Sequence, residues 1–125
     1  LLTGYLALAE RLFSDGAAFS EGWNFGPDDD DTLPVSRLAE RMTALWGGGA
    51  AWRLDSEPHP HEATYLKLDC SKARSRLGWR PCWRLERALE TTAQWYRAYY
   101  SREDARALAR TPIAQYAADR STVHV

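Results

Sequence analysis

The sequence has few cysteines, no long apolar run and no excess of charge of either sign. Only Cys70 and Cys82 occur among 125 residues, too few for the disulfide framework of a small secreted protein. No segment reaches about eighteen consecutive apolar residues, so no membrane-spanning helix is expected. No signal peptide is recognisable. We therefore expect two unpaired, inert thiols and a cytoplasmic location.

The near balance of charge restricts the partners. Lysine and arginine total 16, against 17 aspartates and glutamates. Nucleic-acid binding needs a concentrated basic surface, and an anionic membrane attracts the same kind of surface. We therefore expect neither nucleic acid nor membrane as a partner. The length corresponds to one domain or one lobe of a larger protein.

Apolar residues recur at helical spacing in several segments, which predicts helices over residues 1–16, 33–46, 70–78 and 85–111, with a last turn or two through residue 118. The first helix carries one apolar stripe, made of Leu2, Tyr5, Leu6, Ala9, Leu12 and Phe13. Residues 21–27, 50–55 and 63–69 alternate as strands do. These elements predict a mixed α/β lobe over residues 1–118, with too few strands for a complete doubly wound sheet, followed by a loose tail over residues 119–125.

Two local patterns suggest ligand sites that their context argues against. The glycines at 47–49 follow a helix and precede a possible strand, whereas a phosphate-binding loop follows a strand and opens a helix. We interpret them as a helix end. The aspartates at 28–31 lack the alternating spacing, central glycine and final glutamate of a calcium loop. We interpret them as a solvated loop before a helix whose N-terminus favours negative charge.

The stretch "EPHPHEATYLKLDC", residues 57–70, holds the most chemically interesting side chains. His59, His61 and Glu62 have three possible roles. They could bind a metal, but no histidine or cysteine pair elsewhere completes a familiar zinc set. They could contact a substrate, because histidine donates to phosphate or ribose oxygen and glutamate accepts from hydroxyls or an exocyclic amine. They could also be incidental, in a surface loop stiffened by its two prolines.

The run "LKLDCSKARSRLGWRPCWRLERALETTAQWY", residues 66–96, resembles the C-terminal part of extended short-chain dehydrogenases that act on nucleotide sugars. "NFGP" at residues 24–27 looks like the strand that precedes the small-domain helix in that family. The resemblance extends from Gly4 to about Tyr116. It implies that this chain is the substrate-binding lobe of a longer enzyme, and the start of the chain inside a helical pattern at Leu1 fits that expectation.

The resemblance also implies parts that this sequence does not contain. Members of the family bind NAD on an N-terminal Rossmann domain through a glycine-rich turn and oxidise the sugar with a Tyr-x-x-x-Lys pair. No Gly-x-Gly-x-x-Gly occurs in this sequence. The only lysines, Lys67 and Lys72, have Ala63 and Leu68 four residues before them. We therefore expect no catalytic or NAD-binding residue here, and no activity of the chain alone.

The same resemblance implies a substrate site in this chain. The loop with His59, His61 and Glu62 corresponds to the one beside the nucleotide half of the sugar donor. Many members hold the diphosphate with an arginine where Ala63 and Thr64 stand in this sequence, so the resemblance implies that Arg53 or a group outside this chain takes that role. Family members usually form homo-oligomers through the Rossmann domain. For this chain we predict self-association through the apolar stripe of the first helix.

Overall fold

The structure is a computed structural model that describes residues 1–55 and 67–123, with side chains as far as residue 121. Its α-helices are α1 (Leu2–Asp15), α2 (Val35–Trp46), α3 (Ser71–Leu77), α4 (Leu85–Tyr100) and α5 (Ala105–Val123), with short 3-10 helices at Gly16–Phe19 and Asp29–Asp31. The helices predicted over residues 1–16, 33–46 and 70–78 are confirmed, whereas the helix predicted over residues 85–111 is divided: α4 ends at Tyr100 and α5 begins at Ala105. The chain divides into a first unit, residues 1–28 and 58–81, and a second unit, residues 29–57 and 82–125.

The predicted strands are not found in residues 1–55 and 67–123, which contain no β-structure. Residues 22–27 and 50–55 have irregular backbone, and so do residues 67–69, the described end of the third predicted strand. The α/β class is thus not confirmed over the described residues. The physical reason is that alternation favours an extended segment, but a strand forms only when a neighbouring strand accepts and donates its backbone hydrogen bonds.

Glycine ends the helices as predicted. The N–H of Gly47 donates to the carbonyl of Thr43 at 3.1 Å and closes α2, and Gly47, Gly48 and Gly49 all have positive φ. Gly78 follows α3 in the left-handed conformation, which glycine adopts without steric cost. The interpretation of residues 47–49 as a helix end is confirmed.

Helix α5 continues past Ala118, where we expected the ordered lobe to end, and remains helical as far as Val123. Proline in a helix interior removes a backbone donor, so Pro112 argues for an early end, yet it lies inside α5. A tertiary contact stabilises the later turns. Trp83 Nε1 donates to Asp119 Oδ2 at 2.8 Å. The loose tail predicted from residue 119 is therefore helical up to residue 123.

The first unit has a small aromatic core. Phe25, Ala73 and Trp79 are buried together, and the Phe25 and Trp79 rings meet edge to face with centroids 5.1 Å apart. The indole N–H of Trp79 donates to Thr3 Oγ1 at 3.1 Å. A Cβ added at Gly4 would lie 2.3 Å from the Phe25 ring. Helix α1 thus approaches the core closely because residue 4 has no side chain.

The second unit is built from α2, α4 and α5, where α4 packs against each of the other two. Most of the side chains that make these contacts are only half-buried. Trp83 meets Tyr116 edge to face at a centroid distance of 5.1 Å, and Trp46 meets Tyr100 at 6.0 Å. Ala93 is its only buried apolar side chain among the described residues.

Candidate functional site

Of the predicted site residues, His59, His61 and Glu62 lie outside the described residues. Arg53 is described and lies in the second unit, in an exposed segment. Its neighbours Trp52 and Leu54 are 40% and 84% exposed. The guanidinium of Arg53 forms no ion pair with any residue that the structure describes. An exposed arginine of this kind is available to an anionic ligand.

In the first unit, residues 69–71 are fixed to the segment around Asn24. Asn24 Nδ2 donates to the carbonyl of Asp69 at 3.1 Å, across 45 positions of sequence. Asp69 Oδ1 accepts the backbone N–H of Ser71 at 2.8 Å. An aspartate just before a predicted helix is a common N-cap, so Asp69 is the N-cap that the sequence favours for α3. The N-cap is Cys70, but the Asp69 carboxylate still accepts an N–H of the first helical turn, as capping requires.

The electrostatics of Asp69 follow from these bonds. Hydrogen bonds from the hydroxyl and the N–H of Ser71 lower the pKa of Asp69, and the positive charges of Arg74 and Lys67 act in the same direction. Asp69 is thus a stable carboxylate at neutral pH. Its arrangement suits it to hold the backbone at the start of α3, because a general acid would need a raised pKa.

The basic residues of α3 are all engaged by carboxylates. Lys72 Nζ lies 2.7 Å from Glu21 Oε2, and Arg76 pairs with the other oxygen of Glu21. The hydrogen bond from Lys72 is the largest of the effects that lower the pKa of Glu21. Arg74 pairs with Asp28 at 3.2 Å. A phosphate would therefore have to displace a carboxylate to bind these cations.

The ion pair of Asp28 corrects one interpretation of the acidic run. We expected a solvated loop, but Asp28 is paired as described, and Asp31 lies with its side chain only 9% exposed against Arg84. The Nε atom of Arg84 donates to Asp31 Oδ1 at 3.1 Å. The sequence carried no signal for these pairs, because Arg74 and Arg84 lie 46 and 53 positions away from their partners.

The described residues also show whether the chain could bind a metal ion, cross a membrane or use a reactive thiol. No group of three or more histidine, cysteine, aspartate or glutamate side chains is arranged to hold a metal ion in residues 1–55 and 67–121. None of the described helices is both long and apolar enough to cross a bilayer. Burial raises the pKa of Cys82, with the charge of Asp119 adding to the effect, and a raised thiol pKa disfavours the reactive thiolate.

A groove of about 370 Å³ lies between α4 and α5 in the second unit. Trp95, Leu108 and Pro112 contribute apolar surface, and Glu103 and Asp104 contribute its charged groups. Asp104 Oδ1 already accepts the N–H of Arg106 at 3.0 Å. None of the predicted site residues lines this groove, and its negative charge does not suit a diphosphate.

Comparison with known proteins supports the resemblance read from the sequence. No protein-family model matches the chain. The chain is 49% identical over 115 residues to the CDP-glucose 4,6-dehydratase of Salmonella typhimurium (strain LT2). The match covers 92% of this chain and 32% of that protein, so the chain spans about a third of the relative's length. The segments at residues 4–12, 21–27 and 59–69 look most like this enzyme in the sequence, and that recognition is confirmed.

Proposed function

We propose that this chain is the nucleotide-sugar-binding lobe of a CDP-glucose 4,6-dehydratase. The observation that carries the proposal is the 49% identity to the Salmonella enzyme, which extends over 92% of the chain. The parent enzyme would be a lyase that converts CDP-glucose to CDP-4-keto-6-deoxyglucose by oxidation, elimination of water and re-reduction. Its product would feed the synthesis of the dideoxy sugars of bacterial lipopolysaccharide O-antigen. We propose a cytoplasmic, homo-oligomeric parent.

The residues of this chain do not fit NAD, which the parent would need as hydride acceptor and donor. Gly47, Gly48 and Gly49 close α2 and open no helix, so they form no phosphate-binding turn. The sequence contains no other glycine cluster and no Tyr-x-x-x-Lys pair. The NAD site and the redox groups would belong to a separate domain of a longer protein, and the chain alone would not turn over the substrate.

The contribution of this chain would be to bind and orient the substrate. We assign Arg53 to the diphosphate. Its support is the difference in pairing: the cations of α3 are engaged by Glu21 and Asp28, whereas Arg53 is exposed without an ion pair among the described residues. His61 and Glu62, with His59 beside them, would hydrogen-bond the nucleotide. Residues 21–27 and 50–55 would pair as strands in the complete protein and restore the α/β class.

Two alternatives remain specific enough to test. The chain could serve another nucleotide-sugar epimerase or dehydratase with a different base or sugar. It could also be a non-catalytic nucleotide-sugar-binding module. The three readings predict different substrates or no turnover at all.

A chimera distinguishes these readings. The matching third of the Salmonella enzyme would be replaced by this chain, and NAD-dependent formation of the 4-keto product would be followed with CDP-glucose, GDP-mannose and UDP-glucose. We expect turnover with CDP-glucose above the other two. Faster turnover of another nucleotide sugar would support the first alternative. A folded chimera that binds NAD and a nucleotide sugar without turnover would support the second and contradict the proposal.

A further inference from the structure

The groove between α4 and α5 combines apolar surface with polar groups of several kinds. Its volume of about 370 Å³ lies at the lower end of the range of small-molecule sites. Trp95, Leu108 and Pro112 supply apolar surface, and the amide side chains of Gln94 and Gln115 belong to the same lining. The lining is therefore neither purely apolar nor purely charged.

Several polar groups of this groove are left unused within the part of the chain that the structure describes. The Glu103 carboxylate, the Gln94 amide and the indole N–H of Trp95 form no hydrogen bond or ion pair with a described residue. Gln115 Oε1 accepts from Arg87 at 3.4 Å, so the amide nitrogen of Gln115 remains a donor. The groove thus offers hydrogen-bond donors and acceptors together.

Pro112 adds a backbone acceptor to this set. Proline has no N–H, so inside a helix it cannot bond the carbonyl four residues before it. In α5 that carbonyl belongs to Leu108. Leu108 and Pro112 both line the groove, so the carbonyl that lacks its helical donor lies along the groove wall.

We propose that the groove between α4 and α5 binds a neutral sugar. A sugar hydroxyl both donates and accepts, so one ligand can bond the Glu103 carboxylate, the Leu108 carbonyl and the amide donors. The C–H face of a sugar ring is apolar and packs on an aromatic ring such as Trp95. A phosphorylated sugar fits poorly, because Glu103 and Asp104 repel it. An ammonium compound would leave the donors of Gln94 and Trp95 unused, since an ammonium group accepts no hydrogen bond.

A sugar suits the groove better than another protein surface does. A domain packed over the groove would bury the Glu103 carboxylate, and burying a charge without a paired cation is costly. None of the described lining residues is a lysine or an arginine. A hydroxylated ligand instead bonds the carboxylate while one side of it stays in water. The site is also independent of the nucleotide-sugar assignment, because Arg53 is not among the described lining residues.

NMR titration of the 125-residue chain tests the sugar site. The probes are the methyl glycosides of glucose, galactose and mannose, with glucose 6-phosphate and butylammonium as charged comparisons. We expect at least one glycoside to shift the indole N–H signal of Trp95 with a millimolar Kd, and to bind more tightly than either charged compound. The signal that disappears in Trp95→Phe identifies Trp95 among the six tryptophans. Tighter binding of butylammonium, or no response to any glycoside, would overturn the proposal.

Two variants separate a binding site from a groove with only a structural role. Glu103→Ala should weaken sugar binding about tenfold, the usual cost of losing a hydrogen bond to a charged group. Glu90→Ala, at an exposed glutamate of α4 outside the described lining, should leave binding unchanged. Pro112→Ala should raise the Tm, because alanine is the better helix former, yet weaken sugar binding, because the Leu108 carbonyl regains its donor.

Equal sugar affinity in Pro112→Ala, Glu103→Ala and the wild type would overturn the site. The chimera described above provides the second check, because it adds the rest of the enzyme. We expect the chimera to bind the same glycoside with the affinity of the chain alone. A chimera that loses this binding would show that other parts of the protein cover the groove, and would contradict the sugar site.

Discussion

The two units of the chain are stabilised in different ways. The first unit holds the buried side chains Phe25, Cys70, Ala73 and Trp79, whereas Ala93 is the only buried apolar side chain in the described part of the second. The second unit relies on half-buried aromatic pairs and on ion pairs such as Arg84 with Asp31. Close packing is insensitive to salt, whereas partly exposed charge pairs are screened by it. Both units contain ion pairs, because α3 of the first unit is paired with Glu21 and Asp28. The first unit should therefore lose most stability when the volume of its core changes, whereas the second, with few buried side chains, should depend more on pairs such as Arg84 with Asp31.

The largest expected effect is a change of volume in the first unit. Gly4→Ala places a methyl group 2.3 Å from the Phe25 ring, and overpacking of this kind costs about 1–3 kcal/mol of the free energy of unfolding. The loss should appear in urea denaturation even though alanine is the better helix former by about 1 kcal/mol. Gly22→Ala is the control, because an added Cβ there meets no atom within 4 Å. Equal losses in both variants would contradict the tight approach of α1.

An intermediate effect is expected from a change of charge in the second unit. Asp31→Asn removes the charge of a carboxylate that is 9% exposed against Arg84, which should cost about 1 kcal/mol after allowance for the exposure of the arginine. The control is Asp30→Asn, because Asp30 is 85% exposed and lies 3.7 Å from the same guanidinium. Urea denaturation at low and high salt should show a loss for Asp31→Asn that shrinks with salt, and almost none for Asp30→Asn. Identical behaviour of the two variants would refute the distinction.

The smallest expected effect is on the stability of the first unit at acidic pH. The pKa of Asp69 is lowered by hydrogen bonds from Ser71, so the carboxylate stabilises the fold above its unfolded pKa, and this contribution is lost as pH falls through the lower, folded pKa. Asp69→Asn should be less stable than the wild type at neutral pH. The difference should disappear below the ordinary carboxyl range. Thermal unfolding across pH would measure it, with Glu10→Gln as an exposed control. A difference that persists at the lowest pH would contradict this linkage.

Local patterns predicted the helices well but could not predict which side each helix buries. The glycines at 47–49 were expected to end a helix and do end α2, because a helix end depends on nearby sequence. The stripe of α1 was assigned as the main apolar face on the same logic. The buried face was decided instead by Gly4, whose missing side chain lets Phe25 approach. Periodicity identifies apolar faces, whereas packing selects between them.

Contacts between residues that are distant in the chain could not be predicted from the sequence. The pairs of Arg74 with Asp28 and Arg84 with Asp31 join positions 46 and 53 residues apart, and no local pattern encodes such distances. The predicted strands were not found in the described residues for a related reason. Each strand needs a partner strand, and the alternating pattern does not specify that partner. Of the predicted substrate residues, Arg53 is described and is exposed, while the roles of His59, His61 and Glu62 stay predictions.

Calorimetric titration of CDP-glucose into the chimera described above tests the central claim most directly. His61→Ala and Glu62→Ala should each weaken binding about tenfold to a hundredfold, the usual cost of a hydrogen bond to a charged group, while NAD affinity stays unchanged and a chelator has no effect. Arg80→Ala, at an exposed arginine of the first unit, should bind as the unsubstituted chimera does. Unchanged CDP-glucose affinity in both variants would contradict the substrate assignment, and a loss of affinity produced by the chelator would replace it with a metal site.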